Sequence, residues 1–325
     1  MYNRPEQILE QYELNVKAVS RGRDCYLIDT NLGVKSLSEY RGSKERAGFL
    51  KEMLDFLQDR NLLVENIVYT KEGEPLVVDD DGSKQILLDT FSGAECDAKN
   101  RDDMILAVKT LAGLHNASNE FQGEVPEFVK MGRDSLLLLY EKHNRELRQV
   151  RNYIRSRRKK NEFEEMFGRH YERFMKKASD VTDLLGKMEL ENVDVGFCHG
   201  DFNQHNVIFS RQGIALVGFE HFSYNMQISD LANFVRKMME KNNWNTGLGM
   251  DFIQAYHNER KLSELELKYL YLYLAYPEKF WKIANRYNNS HKAWLSGRNI
   301  EKLEKVIAQE EEREQFLEML FHFVR

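Results

Sequence analysis

In the first ninety residues apolar side chains recur at every second position over short runs, a period that predicts strands. "CYLIDTNLGVKSLSEY" (25–40) reads as two strand-like runs separated by the turn Thr30-Asn31-Leu32-Gly33. The period then lengthens. In "SKERAGFLKEMLDFLQDR" the residues Ala47, Leu50, Leu54 and Leu57 fall on one helical face behind Ser43, whose hydroxyl suits an N-cap. "NIVYT", "PLVVDD" and "SKQILLDTF" return to strand texture, which predicts a sheet of about five strands with one helix inserted after the third. From Asp102 the pattern is helical, with Met104, Val108, Leu111 and His115 at helical spacing, and the charged stretch from Ser135 to Met188 has few breakers. Only 193–225 reverts to short strands, "VIF" and "IALVGF", around the turn Ser210-Arg211-Gln212-Gly213. Beyond Ser229 the chain reads as helix, punctuated at Pro277 and Ser296-Gly297. The change of texture puts a lobe boundary at Ser92-Gly93 and predicts domains 1–93 and 94–325.

Length and composition narrow the class. The 325 residues suit about two lobes, and 42% hydrophobic with 30% charged residues at a net charge of −5 describes a folded globular chain. No apolar run approaches ~18 residues and the first residues lack a signal-like apolar core, so we expect no membrane segment and synthesis in the cytoplasm. Cys25, Cys96 and Cys198 are far apart and odd in number, which suggests neither a disulfide framework nor a paired-cysteine zinc site. Cys198 and His199 are adjacent on a strand-like run, so their side chains point to opposite faces and do not form a nucleophile pair.

One segment carries the pattern of a chemical site. Phosphoryl transfer needs a carboxylate beside the attacking hydroxyl, an amide five residues later for a metal, and an acid on the next strand for the ions that bridge the phosphates. In "CHGDFNQHNVIFSRQGIALVGFE" Asp201 and Asn206 fit the first two, and the hairpin brings residues 218–220 back alongside them.

"HGDFNQHN" resembles the HGDxxxxN catalytic loop of aminoglycoside phosphotransferase and choline kinase relatives. Within that superfamily, "YPEKFWKIANRYNNSHKAWLSGRNIEKLEKVI", "SGAEC" and "LAGLHNAS" resemble the CotS-type spore coat branch, and the resemblance covers nearly the whole chain. It implies a two-lobed, protein-kinase-like α+β fold, with a small five-stranded N-lobe, a larger, mainly helical C-lobe and a catalytic-loop hairpin at 197–220. It further implies that Asp201 is the catalytic base and Asn206 a metal ligand. His199 would belong to the catalytic loop as its structural support, and Asp230 would steady that loop from a helix start. ATP and Mg2+ are the implied cofactors of an active member. Coat proteins and a nucleotide are the implied partners, and synthesis in the mother cell followed by placement in the spore coat is the implied location.

The sequence departs from the family pattern at two places. Where the second strand should end in an aspartate, this chain has Leu216-Val217-Gly218-Phe219-Glu220, which leaves Glu220 as the nearby acid for a metal. Where an N-lobe strand should end Leu-Lys, it has Leu37-Ser38. Strand alternation turns Ser36 and Ser38 one way and Lys35 the other, so Lys35 replaces the phosphate-binding lysine only if the register slips by one. "SRGRD" has one glycine, a poor phosphate cradle. Leu88, Phe91, Ile208 and Val217 are the expected apolar lining of a nucleotide cleft. Two readings therefore stand: a catalytically degenerate pseudokinase acting in coat assembly or binding, and an active ATP-dependent phosphotransferase on a small-molecule or protein hydroxyl using Asp201, Asn206 and Glu220. The basic run "RELRQVRNYIRSRRKK" lacks a base-stacking aromatic pattern in a chain that is acidic overall, and reads as a solvated helix face rather than a nucleic-acid site. The aromatic tail, Tyr276, Phe280, Trp281, Tyr287 and Trp294, reads as helical core.

Overall fold

The computed structural model of the chain describes residues 5–23, 25–79, 81–289 and 297–324. In chain order the elements are α1 (Pro5–Leu9), β1 (Val16–Arg21), β2 (Tyr26–Thr30), β3 (Gly33–Glu39), α2 (Lys44–Gln58), β4 (Leu63–Val64), β5 (Asn66–Ile67), β6 (Val77–Val78), β7 (Lys84–Asp89), β8 (Gly93–Glu95) and α3 (Arg101–Ser118). They continue with α4 (Ser135–Ser156), α5 (Glu162–Leu185), β9 (Val195–Cys198), β10 (Val207–Ser210), β11 (Gly213–Leu216), β12 (Ser223–Met226), α6 (Ile228–Lys241), α7 (Thr246–Glu259), α8 (Glu264–Ala275), α9 (Glu278–Asn289), α10 (Gly297–Ala308) and α11 (Glu310–Val324). The architecture is mixed α+β, sheet-rich at the N-terminal side and helical toward the C-terminus. The expected breaker Ser296 and the expected core residue Trp294 lie outside the described residues.

Two compact units emerge. The first holds the residues up to Lys130 with Gly196–Phe234 and Asn258–Arg260; the second holds Met131–Val195, Val235–His257 and Lys261 onward.

In the first unit a six-stranded sheet runs β1-β2-β3-β7-β5, with β6 paired to β7. The β2–β3 hairpin closes as its turn residues dictate. Thr30 Oγ1 donates to Gly33 O at 2.7 Å and accepts from Leu32 N at 3.0 Å, while Gly33 takes φ +93°. One face of this sheet buries Ile28, Leu37, Val77 and Leu87 under Ile8, Leu9 and Tyr12 of the α1 region. After β3, the Ser43 hydroxyl accepts from Arg46 N at 3.1 Å and starts α2, which buries Ala47, Leu50, Leu54 and Leu57. A second sheet, β4-β11-β10-β8, contains the antiparallel β10–β11 hairpin, with Ser210 opposite Gly213, and β9 pairs with β12. This second sheet and the β9–β12 pair position the candidate site.

The second unit is helical. Helices α4 and α5 pack against each other, and Leu147, Val150 and Ile154 of the one and Phe163, Phe167 and Phe174 of the other are all buried. Tyr140 stacks on Tyr276 at 3.7 Å, and Phe280 stacks on both Phe174 at 4.2 Å and Phe167 at 5.0 Å. Most of the described tail aromatics are thus core, where rings of this size contribute most.

Candidate functional site

The loop after β9 is built on one buried carboxylate. Asp230, 3% exposed in the first turn of α6, accepts from His199 N at 2.6 Å, from Gly200 N at 3.0 Å and from His115 Nε2 at 3.2 Å. It does not cap its own helix; its oxygens are directed at the loop. Gly200 sits at φ +84°, and a Cβ there would lie 1.8 Å from the His221 carbonyl oxygen, so only glycine fits between loop and hairpin.

His199 is fully buried and both ring nitrogens meet backbone. Nε2 donates to Val217 O at 2.9 Å, and Nδ1 faces Asp201 N at 3.4 Å. That arrangement needs a neutral ring, and burial, opposed by the nearby Asp230 charge, holds its pKa below the usual histidine range. His199 therefore braces the loop against the β10–β11 hairpin. Asp201 follows, half-buried, and its carbonyl accepts from Asn206 Nδ2 and Asn203 Nδ2, each at 2.9 Å. Asn206 also receives Val217 N on its own carbonyl at 3.0 Å. The structure thus brings His199, Asp201, Asn206 and Val217 together.

At the end of β11 the geometry differs. Gly218 takes φ +83° and ψ 40°, and a Cβ there would lie 2.7 Å from Asn206 Cγ and Nδ2, so the amide fills the space over the glycine. The N–H groups of Gly218 and Phe219 both donate to Glu65 Oε1, at 2.7 and 2.8 Å. Glu65 is 4% exposed. Burial pushes its carboxyl up to about 7 despite those two bonds, and the charge of Glu220 adds to the rise. Sequence reading missed Glu65. The available signal was an acid amid the short apolar run "NLLVENIVY", where an unpaired charge would be costly to bury.

Glu220 is exposed in the single turn Phe219–His221. Its charge and, above all, burial push the Tyr40 phenol up to about 12. On the next residues, Arg46 of α2 donates to Phe222 O and to Phe128 O, the latter at 3.1 Å, with its guanidinium 4.4 Å above the Phe222 ring. Glu65 and Arg46 therefore hold the 218–222 segment at two points.

The phosphate-lysine position does not gain a lysine. Lys35 pairs opposite Asp89 and Ser38 opposite Ile86 without a register shift, so Lys35 shares the face of Leu37. There it is 5% exposed, ion-paired to Asp89, and donates to Leu32 O at 2.8 Å. An open cavity of about 1080 Å³ in the first unit is bordered by Val34, Lys35, Asp89, Phe91, Phe209 and Arg211 among others, and Leu88, Ile208 and Val217 are not among the residues that line it. Alternation explains Leu88, which faces away from its neighbour Asp89, while Ile208 is 9% exposed within β10.

Strand β11 leads into Gly218 where a magnesium–nucleotide centre of the kinase kind would draw on an acid, so this position offers no side-chain ligand. Among the described residues no three His, Cys, Asp or Glu side chains are grouped to share a cation. The Asn206 amide nitrogen donates to Asp201 O, which leaves its Oδ1 as the atom that could meet a cation. Burial raises the Cys198 thiol well above its usual value, which leaves no activated thiol beside His199.

The fold that carries this loop is that of the aminoglycoside-phosphotransferase-like kinases. A structure of an aminoglycoside phosphotransferase from Alicyclobacillus acidocaldarius subsp. acidocaldarius DSM 446 is similar over 100% of this chain and 97% of its own, with a TM-score of 0.85 at 19% identity. Amicoumacin kinase hAmiN, solved in complex with AMP-PNP, Ca2+ and Ami, is similar over 96% of this chain and 92% of its own, with a TM-score of 0.66 at 14% identity. The chain belongs to the family described as "Spore coat putative kinase YutH", whose model matches residues 5–320. It is 23% identical to Spore coat protein S of Bacillus subtilis (strain 168) over 329 aligned positions, covering 97% of this chain and 93% of that protein. No described helix is long and apolar enough to cross a membrane.

Proposed function

We propose that this chain is a kinase-fold component of the spore coat that acts by binding and assembly, without turning over ATP. The observation that carries the reading is Gly218. Its N–H is held by Glu65 and the space of its missing side chain is filled by Asn206, so the segment that would present a metal acid is fixed by the protein's own groups. Lys35 adds support, since its ammonium is committed to Asp89 on the face of Leu37. Coat placement follows from the family, as do coat proteins as partners.

A second reading, phosphotransfer from ATP to a small-molecule or protein hydroxyl, draws on a different observation. Asp201 is presented by a loop whose supporting bonds from Asp230, Asn203 and Asn206 are all in place. A thermal-shift titration with ATP, with magnesium and with chelator, separates the two. A ligand that binds only the native state raises the melting temperature by mass action. We expect a small shift that magnesium does not enlarge, and a magnesium-dependent rise accompanied by ADP release would overturn the proposal.

A further inference from the structure

The basic run at the end of α4 lies in the second unit. Residues 145–160 carry eight cations and one carboxylate, Glu146, in a chain whose net charge is −5, so the remaining residues together carry −12. Two of the eight have internal partners. Arg157 meets the fully buried Glu164 at 3.1 Å, and Arg151 meets Glu172 at 3.2 Å. Glu146 accepts from Trp281 Nε1 at 2.7 Å. The other six, Arg145, Arg148, Arg155, Arg158, Lys159 and Lys160, are exposed and make no ion pair among the described residues. Arg145 to Arg155 spans about 15 Å of helix at 1.5 Å per residue, and Arg158 to Lys160 extend the positive surface into the turn before α5. On α5, Glu162 and Glu165 sit in the first turn, where the helix dipole favours them, and Arg169 follows as a further exposed cation, whereas Arg173 is paired to Glu314 at 3.3 Å.

We propose that this α4–α5 tip is a docking surface for an acidic polypeptide segment. Six neighbouring cations repel one another, and a partner rich in Asp and Glu removes that repulsion and steers its own approach. A nucleic acid suits the surface less well. Tyr153 is half-buried with its ring beside Tyr287 and near the Arg157 guanidinium, which leaves no free stacking platform, and a long polyanion must continue over a chain whose remaining residues carry net negative charge. A short acidic segment touches the tip alone.

The test uses the full chain and a fluorescent Glu-rich peptide of about 15 residues, followed by anisotropy at low and at moderate salt. Binding should weaken steeply as the Debye length shortens. Arg148→Glu, Arg155→Glu and Arg158→Glu combined should lower affinity by at least about tenfold; the same three changed to Gln should lower it less but in the same direction. Lys187→Glu, at the far end of α5, should leave it unchanged. Far-ultraviolet circular dichroism checks that each variant folds, and the Gln set keeps the test open if charge reversal disturbs the helix. Absence of peptide binding, a Gln set with unchanged affinity, or tighter binding of a single-stranded oligonucleotide than of the peptide would overturn the proposal.

Discussion

The loop from His199 to Asn206 and the segment from Leu216 to Glu220 are neighbours, yet they are held in opposite ways. The loop hangs on groups that the catalytic motif itself supplies or implies: Asp230 below it, and the Asn203 and Asn206 amides on the Asp201 carbonyl. The segment is held from outside the motif, by Glu65 on its N–H groups and Arg46 on its carbonyl. Two of the protein's own side chains, Glu65 buried and Arg46 half-buried, therefore order the segment independently of the loop.

The largest effect should come from the carboxylate under the loop. Asp230→Ala leaves His115 and the His199 and Gly200 N–H groups without this acceptor. Removing one member of a buried, bonded charge cluster costs about 3–5 kcal/mol. Asp201→Ala removes a half-buried side chain and should cost less than about 1 kcal/mol. Urea midpoints of the two variants check the contrast, and equal midpoints would mean that the loop does not hang on Asp230.

Glu65 gives the comparison a pH dependence. Its folded carboxyl titrates near 7, above the 4.5 of the unfolded chain. Between those values the folded state keeps a proton that the unfolded state has released, so this group's contribution to stability is present at low pH and lost as pH rises through the window. The loss is up to about 3 kcal/mol. Glu65→Gln keeps an oxygen for the two N–H groups but cannot titrate. Wild type should therefore lose stability relative to this variant between pH 5 and pH 8. Parallel profiles of melting temperature against pH would refute the assignment.

How legible each region was follows from the range of its interactions. The β2–β3 turn, the Ser43 cap and the β10–β11 hairpin were readable because residues a few positions apart decide them. β1, "VKAVSR", was not announced: its residues are exposed or half-buried, so no apolar alternation marks an edge strand held mainly by its partner. At the site, the motif gave Asp201, Asn206 and the Gly218 anomaly. Glu65 stands 153 residues from Gly218, and nothing local says where its carboxylate goes. Which residues line a cavity is hard to read for a related reason. Face alternation can be counted along one strand, but which face borders an opening depends on how separate sheets pack.

Gly218→Asp should destabilise less than Asp230→Ala and tests the comparison most directly. At φ +83° a side chain is strained, although aspartate visits this region more readily than most residues, and the left-handed conformation costs roughly 1–2 kcal/mol. The added Cβ also meets the Asn206 amide at 2.7 Å, closer than atoms tolerate, so that amide has to rotate off Gly218. Without a cation the new carboxylate joins the negative field of Glu220, and the variant should melt below wild type. With magnesium and ATP the sign should reverse. A hard divalent cation prefers carboxylate oxygens and bridges them to phosphate, and a displaced Asn206 has its oxygen available beside the new acid. The measurement is melting temperature for both proteins, with chelator, with magnesium, and with magnesium plus ATP. We expect the variant alone to gain from the last condition. If it folds and gains no more than wild type, position 218 is not where a metal would be held, and the proposed function loses the observation that carries it.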